Sequence, residues 1–180
     1  MKHPIRRPEV YARSEVEAIL TAPRQPRDRV FLMTVYACGL RVSEARDLKT
    51  SDIDRARMQL RVRNGKGAKG RVLPLSKRLL KELVDYWRAQ RQAKAGHDSP
   101  WLFLGQRAGE PISIGSAQMI YNRAVEKSGV RRKGGIHVLR HYAEFRTMPS
   151  RVVARAANPL LAGLGVGSVC KSPRHSQSNA

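Results

Sequence analysis

Cysteine is nearly missing from this 180-residue chain. Cys38 and Cys170 are too few for a disulfide framework, and neither has a second cysteine or a histidine at zinc-finger spacing. A reducing compartment is therefore expected, with no structural metal. Long apolar runs are lacking too. The longest, Leu160 to Val169, is interrupted by glycine and falls far short of the roughly 20 residues that a membrane helix needs. The start, Met1-Lys2-His3-Pro4-Ile5-Arg6-Arg7, is basic but meets Pro8 and Glu9 without the apolar core of a signal peptide. A cytoplasmic protein with no membrane partner is the expectation. Acidic residues are scarce, 14 against 35 Lys and Arg, for a formal charge of +21. Such an excess attracts polyanions and releases their condensed counterions, which makes nucleic acid the first partner to consider, although a ribosomal protein would be basic as well.

What is present reads as one domain of ordinary size. Ser14 followed by Glu17 has the pattern of a capping box, with Val16, Ile19 and Leu20 as the buried face of a first helix. After a break at Pro23 and Pro26, Val30 to Ala37 is apolar nearly all round, as a central helix would be, and Gly39 ends it. Arg41 to Leu48 is the next helix, with Arg41 at an entrance where free amides favour an anion. Gln59 to Arg63 and Arg71 to Leu75 alternate polar and apolar residues around the turn-rich Asn64-Gly65-Lys66-Gly67-Ala68-Lys69-Gly70, which predicts a β-hairpin with a basic tip. Leu79, Leu80, Leu83, Val84 and Trp87 recur on one face, as do Ile114, Ala117, Ile120, Tyr121, Ala124 and Val125, giving two amphipathic helices. Trp101 to Leu104 reads as a short strand, and both tryptophans as core. The loop Arg131 to Gly135 leads into a last helix beginning at His137.

From Ala143 the character changes. Pro149, Pro159, Gly163, Gly165, Gly167 and Pro173 interrupt every periodic run, and Glu144 is the single acid. Residues 143–180 are expected to be an atypical tail, disordered or the product of a shifted reading frame. The basic excess lies mainly in residues 1–142, with 30 basic and 13 acidic side chains.

Gly39-Leu40-Arg41-Val42-Ser43-Glu44-Ala45 and His137-Val138-Leu139-Arg140-His141 each place an arginine among other polar groups in an apolar frame. A phosphodiester in transesterification gathers charge on its non-bridging oxygens, and two guanidiniums can hold those oxygens with forked hydrogen bonds. Arg41 and Arg140 are the candidates. A lysine on a hairpin tip can protonate the leaving 5′ oxygen, and Lys66 occupies such a tip, with Lys69 as the other candidate. His137, three residues before Arg140 and on the same helical face, would assist proton transfer at the nucleophile or bind the phosphate. Asp52 and Asp54 are too few for a two-metal site and read as a solvated turn. Gly65 to Arg71 is no nucleotide-binding loop, since Gly70 precedes Arg71 and Val72 rather than Lys and Ser or Thr.

In this order the arginine string, the hairpin lysine in Gly65-Lys66-Gly67 and the HxxR motif resemble the catalytic domain of the tyrosine recombinases, or phage-type integrases, over about residues 8–142. The resemblance implies an α+β, mainly α, domain with a small β-hairpin or sheet. It also implies that double-stranded DNA is cut and rejoined through a 3′-phosphotyrosyl link without metal, nucleotide or other cofactor. Arg41, Lys66, His137 and Arg140 match the family's catalytic positions, and Glu44 matches a carboxylate that supports the first arginine, although it could equally pair within its own helix. Lys69, Arg71, Arg131, Arg132 and Lys133 are candidate DNA contacts; the last three also fit a solvated run.

Two departures from the pattern bear on activity. Only a few residues precede the catalytic-domain start, where the family carries a helical DNA-clamping domain. Beyond HxxR neither an LGH-like segment nor a nucleophilic tyrosine is recognisable, because the tyrosines are Tyr11, Tyr36, Tyr86, Tyr121 and Tyr142. Tyr142 directly follows the motif, where the family tends to have a small residue. No nucleophile is identified. The expectation is a recombinase domain defective on its own, with an intact recombinase protomer as a further candidate partner. The alternative is a non-catalytic DNA-binding module that competes with such a recombinase.

Overall fold

Local chemistry fixes most of the element boundaries in the computed structural model, which describes residues 11–63, 70–92, 99–107, 109–132 and 134–140. The first helix, α1 (Arg13–Thr21), starts two residues earlier than the Ser14–Glu17 pattern suggests. Ala12 is the N-cap, and its amide donates to the Glu15 carboxylate at 2.6 Å, while Glu17 pairs with Arg13 instead. Glu15 wins because it is the carboxylate three residues past the cap, within reach of the orphan amide. Pro26 starts α2 (Pro26–Cys38) rather than breaking the chain, since the first helical position needs no N–H. Gly39 then adopts φ 58°, a left-handed conformation that glycine enters without steric cost.

The next helix, α3 (Val42–Arg46), has five residues, shorter than the sequence pattern suggests. A single 3-10 turn at Thr50–Asp52 leads into β1 (Ile53–Asp54), a strand that sequence alternation had not shown. β2 (Gln59–Val62) and β3 (Arg71–Pro74) form the expected hairpin, with Leu60 opposite Leu73 and Val62 opposite Arg71. The antiparallel sheet runs β1-β2-β3. α4 (Lys77–Gln92) and α5 (Ile114–Ser128) follow, and residues 137–140 are helical. Trp101 to Leu104 is no strand. It makes two isolated bridges, Lys49 with Trp101 and Leu104 with Pro111, which pin the segment to its neighbours without a ladder.

α2 is the central element, burying Val30, Phe31, Leu32 and Val35. It packs on α1, α3 and α4, while α5 covers α1 and α3. Phe103 links these layers: Phe31 meets it edge-on at 5.1 Å and Tyr86 stacks on it at 5.9 Å, geometries that favour the aromatic quadrupoles. Ile136, Val138 and Leu139 are buried and seat the helical residues 137–140 on this core. Three residues depart from the faces their spacing suggests. Trp87 is 38% exposed and Ile114, the first residue of α5, 47%, and Trp101 is half-buried beneath the Lys49 ammonium at 5.0 Å. Among the described residues no helix is long and apolar enough to cross a membrane. The expectations for the tail 143–180 lie outside the described residues.

Candidate phosphate-binding site

Glu44 is the centre of the site. As the third residue of the α3 start it reaches back to cap the helix, and its Oε2 accepts the Arg41 backbone amide at 2.8 Å. Packing of α3 against α2 and α5 carries that carboxylate inside, leaving its side chain 2% exposed. A buried carboxylate is strongly unfavourable unless paired and hydrogen-bonded, and three arginines meet it. Arg71, at the start of β3, closes a two-pronged fork, Nη1 to Oε1 and Nη2 to Oε2, both at 2.7 Å. Arg41 Nη1 donates to Oε1 at 3.2 Å, and Arg140 Nη1 lies 3.9 Å from Oε2, an ion pair beyond hydrogen-bond reach. Burial alone would raise the Glu44 pKa, but the hydrogen bonds and charge of Arg71, with the Arg41 amide, hold it below the ordinary value. The same pairing raises the Arg71 pKa.

Three guanidiniums around one carboxylate leave a local surplus of two positive charges. The site therefore attracts an anion through side chains. The sequence had pointed instead to free amides at the α3 entrance, but the Arg41 amide is taken by Glu44 and the helix is too short to add much of a dipole. Side-chain exposure is 40% for Arg41 and 22% for Arg140, so both reach the surface from a buried anchor.

His137 stands one turn before Arg140 and is exposed. Its lead-in needs glycine: Gly134 has φ 149°, and a Cβ there would fall 2.7 Å from Val138 Cγ2. Arg131 and Arg132 are exposed, and Arg132 Nε donates to the Gly134 carbonyl at 3.2 Å, bracing that turn. Lys66, Lys69, Lys133 and Tyr142 lie outside the described residues.

Asp52, for which the sequence predicts a solvated turn, is a second buried carboxylate. Asp52, 3% exposed, accepts the Lys49 amide at 2.9 Å and Arg63 Nε at 2.5 Å, and Arg63 Nη2 also reaches Ser51 Oγ at 3.0 Å. It is buried because β2 brings Arg63 over the turn and neutralises it. Glu44, Lys49, Asp52, Arg63 and Trp101 line a shared cavity of about 340 Å³. Among the described residues no cluster of three or more His, Cys, Asp and Glu side chains is arranged to hold a metal ion.

The described tyrosines are held elsewhere. Tyr11 and Tyr121 share a buried hydrogen bond of 2.7 Å between their hydroxyls, and Tyr86 is buried with its hydroxyl bonded to Gln90. Desolvation pushes the Tyr86 phenol up to about 12 and raises that of Tyr121 as well, so both stay protonated. Tyr36 lines a separate groove with Arg29, Ser76 and Glu82.

The sequence model of the phage integrase family matches residues 9–161. This chain belongs to that family. Among its relatives, protein y4eF of Sinorhizobium fredii, which carries an integrase/recombinase name, is 36% identical over 160 residues, 89% of this chain and 61% of that protein. Tyrosine recombinase XerA of Pyrococcus horikoshii is 34% identical over 156 residues, 86% of this chain and 52% of that protein. The crystal structure of XerA recombinase has a TM-score of 0.70 at 25% identity, covering 88% of this chain and 54% of that one. Lambda integrase residues 75–356 bound to DNA have the same fold, at a TM-score of 0.60 and 22% identity over 89% of this chain and 57% of that one. The fold is that of tyrosine-recombinase catalytic domains, a mainly helical body with a small antiparallel sheet. The chain spans between half and two thirds of the length of these relatives. The family match also runs on past residue 142, where the motifs read from the sequence end.

Proposed function

We propose that this integrase-family domain grips one phosphate of double-stranded DNA between Arg41 and Arg140 in DNA recombination, and that alone it binds DNA without cleaving it. The observation that carries this is the meeting of both arginines on the single buried carboxylate of Glu44, from positions 99 residues apart in sequence. In strand cleavage a tyrosine oxygen attacks phosphorus, the bond from phosphorus to the 5′ oxygen breaks, and the departing oxygen takes a proton. Arg41 and Arg140 offset the charge that builds on the non-bridging oxygens. Lys66, on the segment between β2 and β3, supplies the proton to the 5′ oxygen, and His137 assists at the nucleophile or ligates the phosphate. Arg131, Arg132, Lys133 and Lys69 contact the DNA backbone, which fixes register without reading sequence.

Within these 180 residues no attacking oxygen is identified. Tyr11, Tyr86 and Tyr121 are buried in hydrogen bonds, and no tyrosine follows Tyr142. An intact recombinase protomer could supply a tyrosine in trans, and the same deficit favours a second reading, a non-catalytic module that competes with such a protomer for DNA. A nicked suicide duplex tests both. The chain alone is expected to bind it in a salt-sensitive way and form no covalent adduct, while Arg41→Ala and Arg140→Ala each weaken binding about tenfold. Inhibition of an active relative in a mixed reaction favours the competitor, and an adduct carrying both proteins favours donation in trans. A covalent adduct with this chain alone would overturn the inactive reading.

A further inference from the structure

Arg71 opens a β-strand beside a basic hairpin, where a DNA contact would be the ordinary assignment, yet its fork is turned inward onto Glu44. An ionised carboxylate offers about four lone-pair sites. All four are filled here: Oε1 accepts Arg71 Nη1 and Arg41 Nη1, and Oε2 accepts Arg71 Nη2 and the Arg41 amide. The distances rank the three arginines, at 2.7 Å for both Arg71 contacts, 3.2 Å for the Arg41 guanidinium and 3.9 Å for that of Arg140. Arg140 is close enough to feel the charge and too far to be bonded by it. Arg41 gives Glu44 one guanidinium nitrogen in a long contact, in place of the fork that this side chain is built to make.

We propose that Arg71 is a positioning residue that saturates the Glu44 carboxylate, so that Glu44 orients Arg41 and Arg140 without capturing the donors they turn to a DNA phosphate. The inference rests on the phosphate-grip reading above. Without Arg71, one lone-pair site opens on each Glu44 oxygen. Arg140 Nη1, itself buried, then has to move only about an ångström to reach ordinary hydrogen-bond distance, and the planar guanidinium that carries the outward donors is drawn in with it. The carboxylate becomes a competitor for the phosphate in place of a support. Arg71 thus acts on the anion through Glu44, and its loss is felt only while Glu44 is charged.

That dependence separates positioning from direct contact. The 180-residue chain would be titrated against a fluorescent duplex of about 20 base pairs at roughly 0.15 M salt, in wild-type, Arg71→Met, Glu44→Gln and doubly substituted forms. Glu44→Gln in the wild-type background measures the general effect of one negative charge fewer. Arg71→Met is expected to weaken binding about tenfold, and in the Glu44→Gln background to weaken it by no more than about twofold. Equal losses in the two backgrounds would overturn the proposal, because Arg71 would then touch the DNA or act through total charge alone. Arg71→Lys, which keeps the charge and cannot fork, gives the same coupling if the fork is what matters, and it serves where circular dichroism shows Arg71→Met unfolded. If Arg41→Ala and Arg140→Ala leave affinity unchanged while the Arg71 coupling persists, the phosphate-grip reading has failed and this proposal falls with it. If those two variants bind weakly and the coupling is absent, only the role of Arg71 has failed.

Discussion

Removing the Glu44 carboxylate should destabilise the domain by several kcal/mol, and the loss should depend on pH with a definite sign. Glu44→Ala leaves the Arg71, Arg41 and Arg140 guanidiniums facing one another without their common counter-charge. Breaking a buried pair by deleting one partner costs about 3–5 kcal/mol. Arg41 and Arg71 keep 40% and 33% of their side-chain surface, so water screens the stranded charges and the lower end, about 3 kcal/mol, is expected. Glu44→Gln keeps the shape and one acceptor oxygen and loses the charge, for about 2 kcal/mol. Against a total stability of about 5–15 kcal/mol, both are measurable by urea denaturation followed by circular dichroism. The folded-state pKa of Glu44 lies below its ordinary value of 4.5. Its ionised form therefore contributes fully above that value, and the contribution is lost as pH falls through the lower folded pKa. The stability gap between wild type and Glu44→Gln should hold from neutral pH down to about 4.5 and close below it. A gap that persists undiminished in acid, or a Glu44→Ala loss under about 1 kcal/mol, would refute the hub.

Gly134→Ala should lower stability by about 1–3 kcal/mol, because φ 149° and a 2.7 Å approach to Val138 leave no room for a Cβ; an unchanged melting temperature would count against it. Tyr11→Phe should cost about 1–3 kcal/mol by orphaning the buried Tyr121 hydroxyl, and adding Tyr121→Phe should recover part of that loss. Strictly additive losses in urea melts would contradict this. Cys38 is buried and its thiol is pushed up to about 11 by desolvation. In a Cys170→Ser background, an aromatic disulfide reagent at about pH 8 should label Cys38 only after unfolding, and rapid labelling of the native protein would show the site to be open.

Much of the fold was legible because it rests on local rules. Gly39 in the left-handed region, the apolar circuit of α2 and the alternation that registers Leu60 against Leu73 are visible in the order of residues. The start of α1 turns on which of two nearby carboxylates wins the cap, Glu15 rather than Glu17 accepting the Ala12 amide. Arg71 marks the limit at the site. Its alternation with Val72 and Leu73 places it on the inward side, since Val72 is 53% exposed while Leu73 packs on the core. That signal was present, yet a basic residue beside a basic hairpin tip looks like a surface contact until its partner, 27 residues earlier, is known.

The two carboxylates buried among the described residues follow one plan. Glu44 caps the amide of Arg41 and Asp52 that of Lys49, each three residues back. Each then takes an arginine from the hairpin, Arg71 at the start of β3 for Glu44 and Arg63 just past the end of β2 for Asp52. Arg63 and Arg71 flank the segment that carries Lys66, so both its legs are tied to buried anions rather than left to the hydrogen bonds of a four-residue ladder. A charge pair of this kind adds less to stability than its contacts suggest, because desolvation of the carboxylate opposes the attraction. It adds direction: a fork fixes the angle between strand and helix start in a way that an apolar contact does not. In the proposed reaction the Lys66 segment and Arg41 must meet the same phosphate, and Glu44 is the group they share, bonded to Arg41 on one side and, through Arg71, to the strand that follows Lys66 on the other.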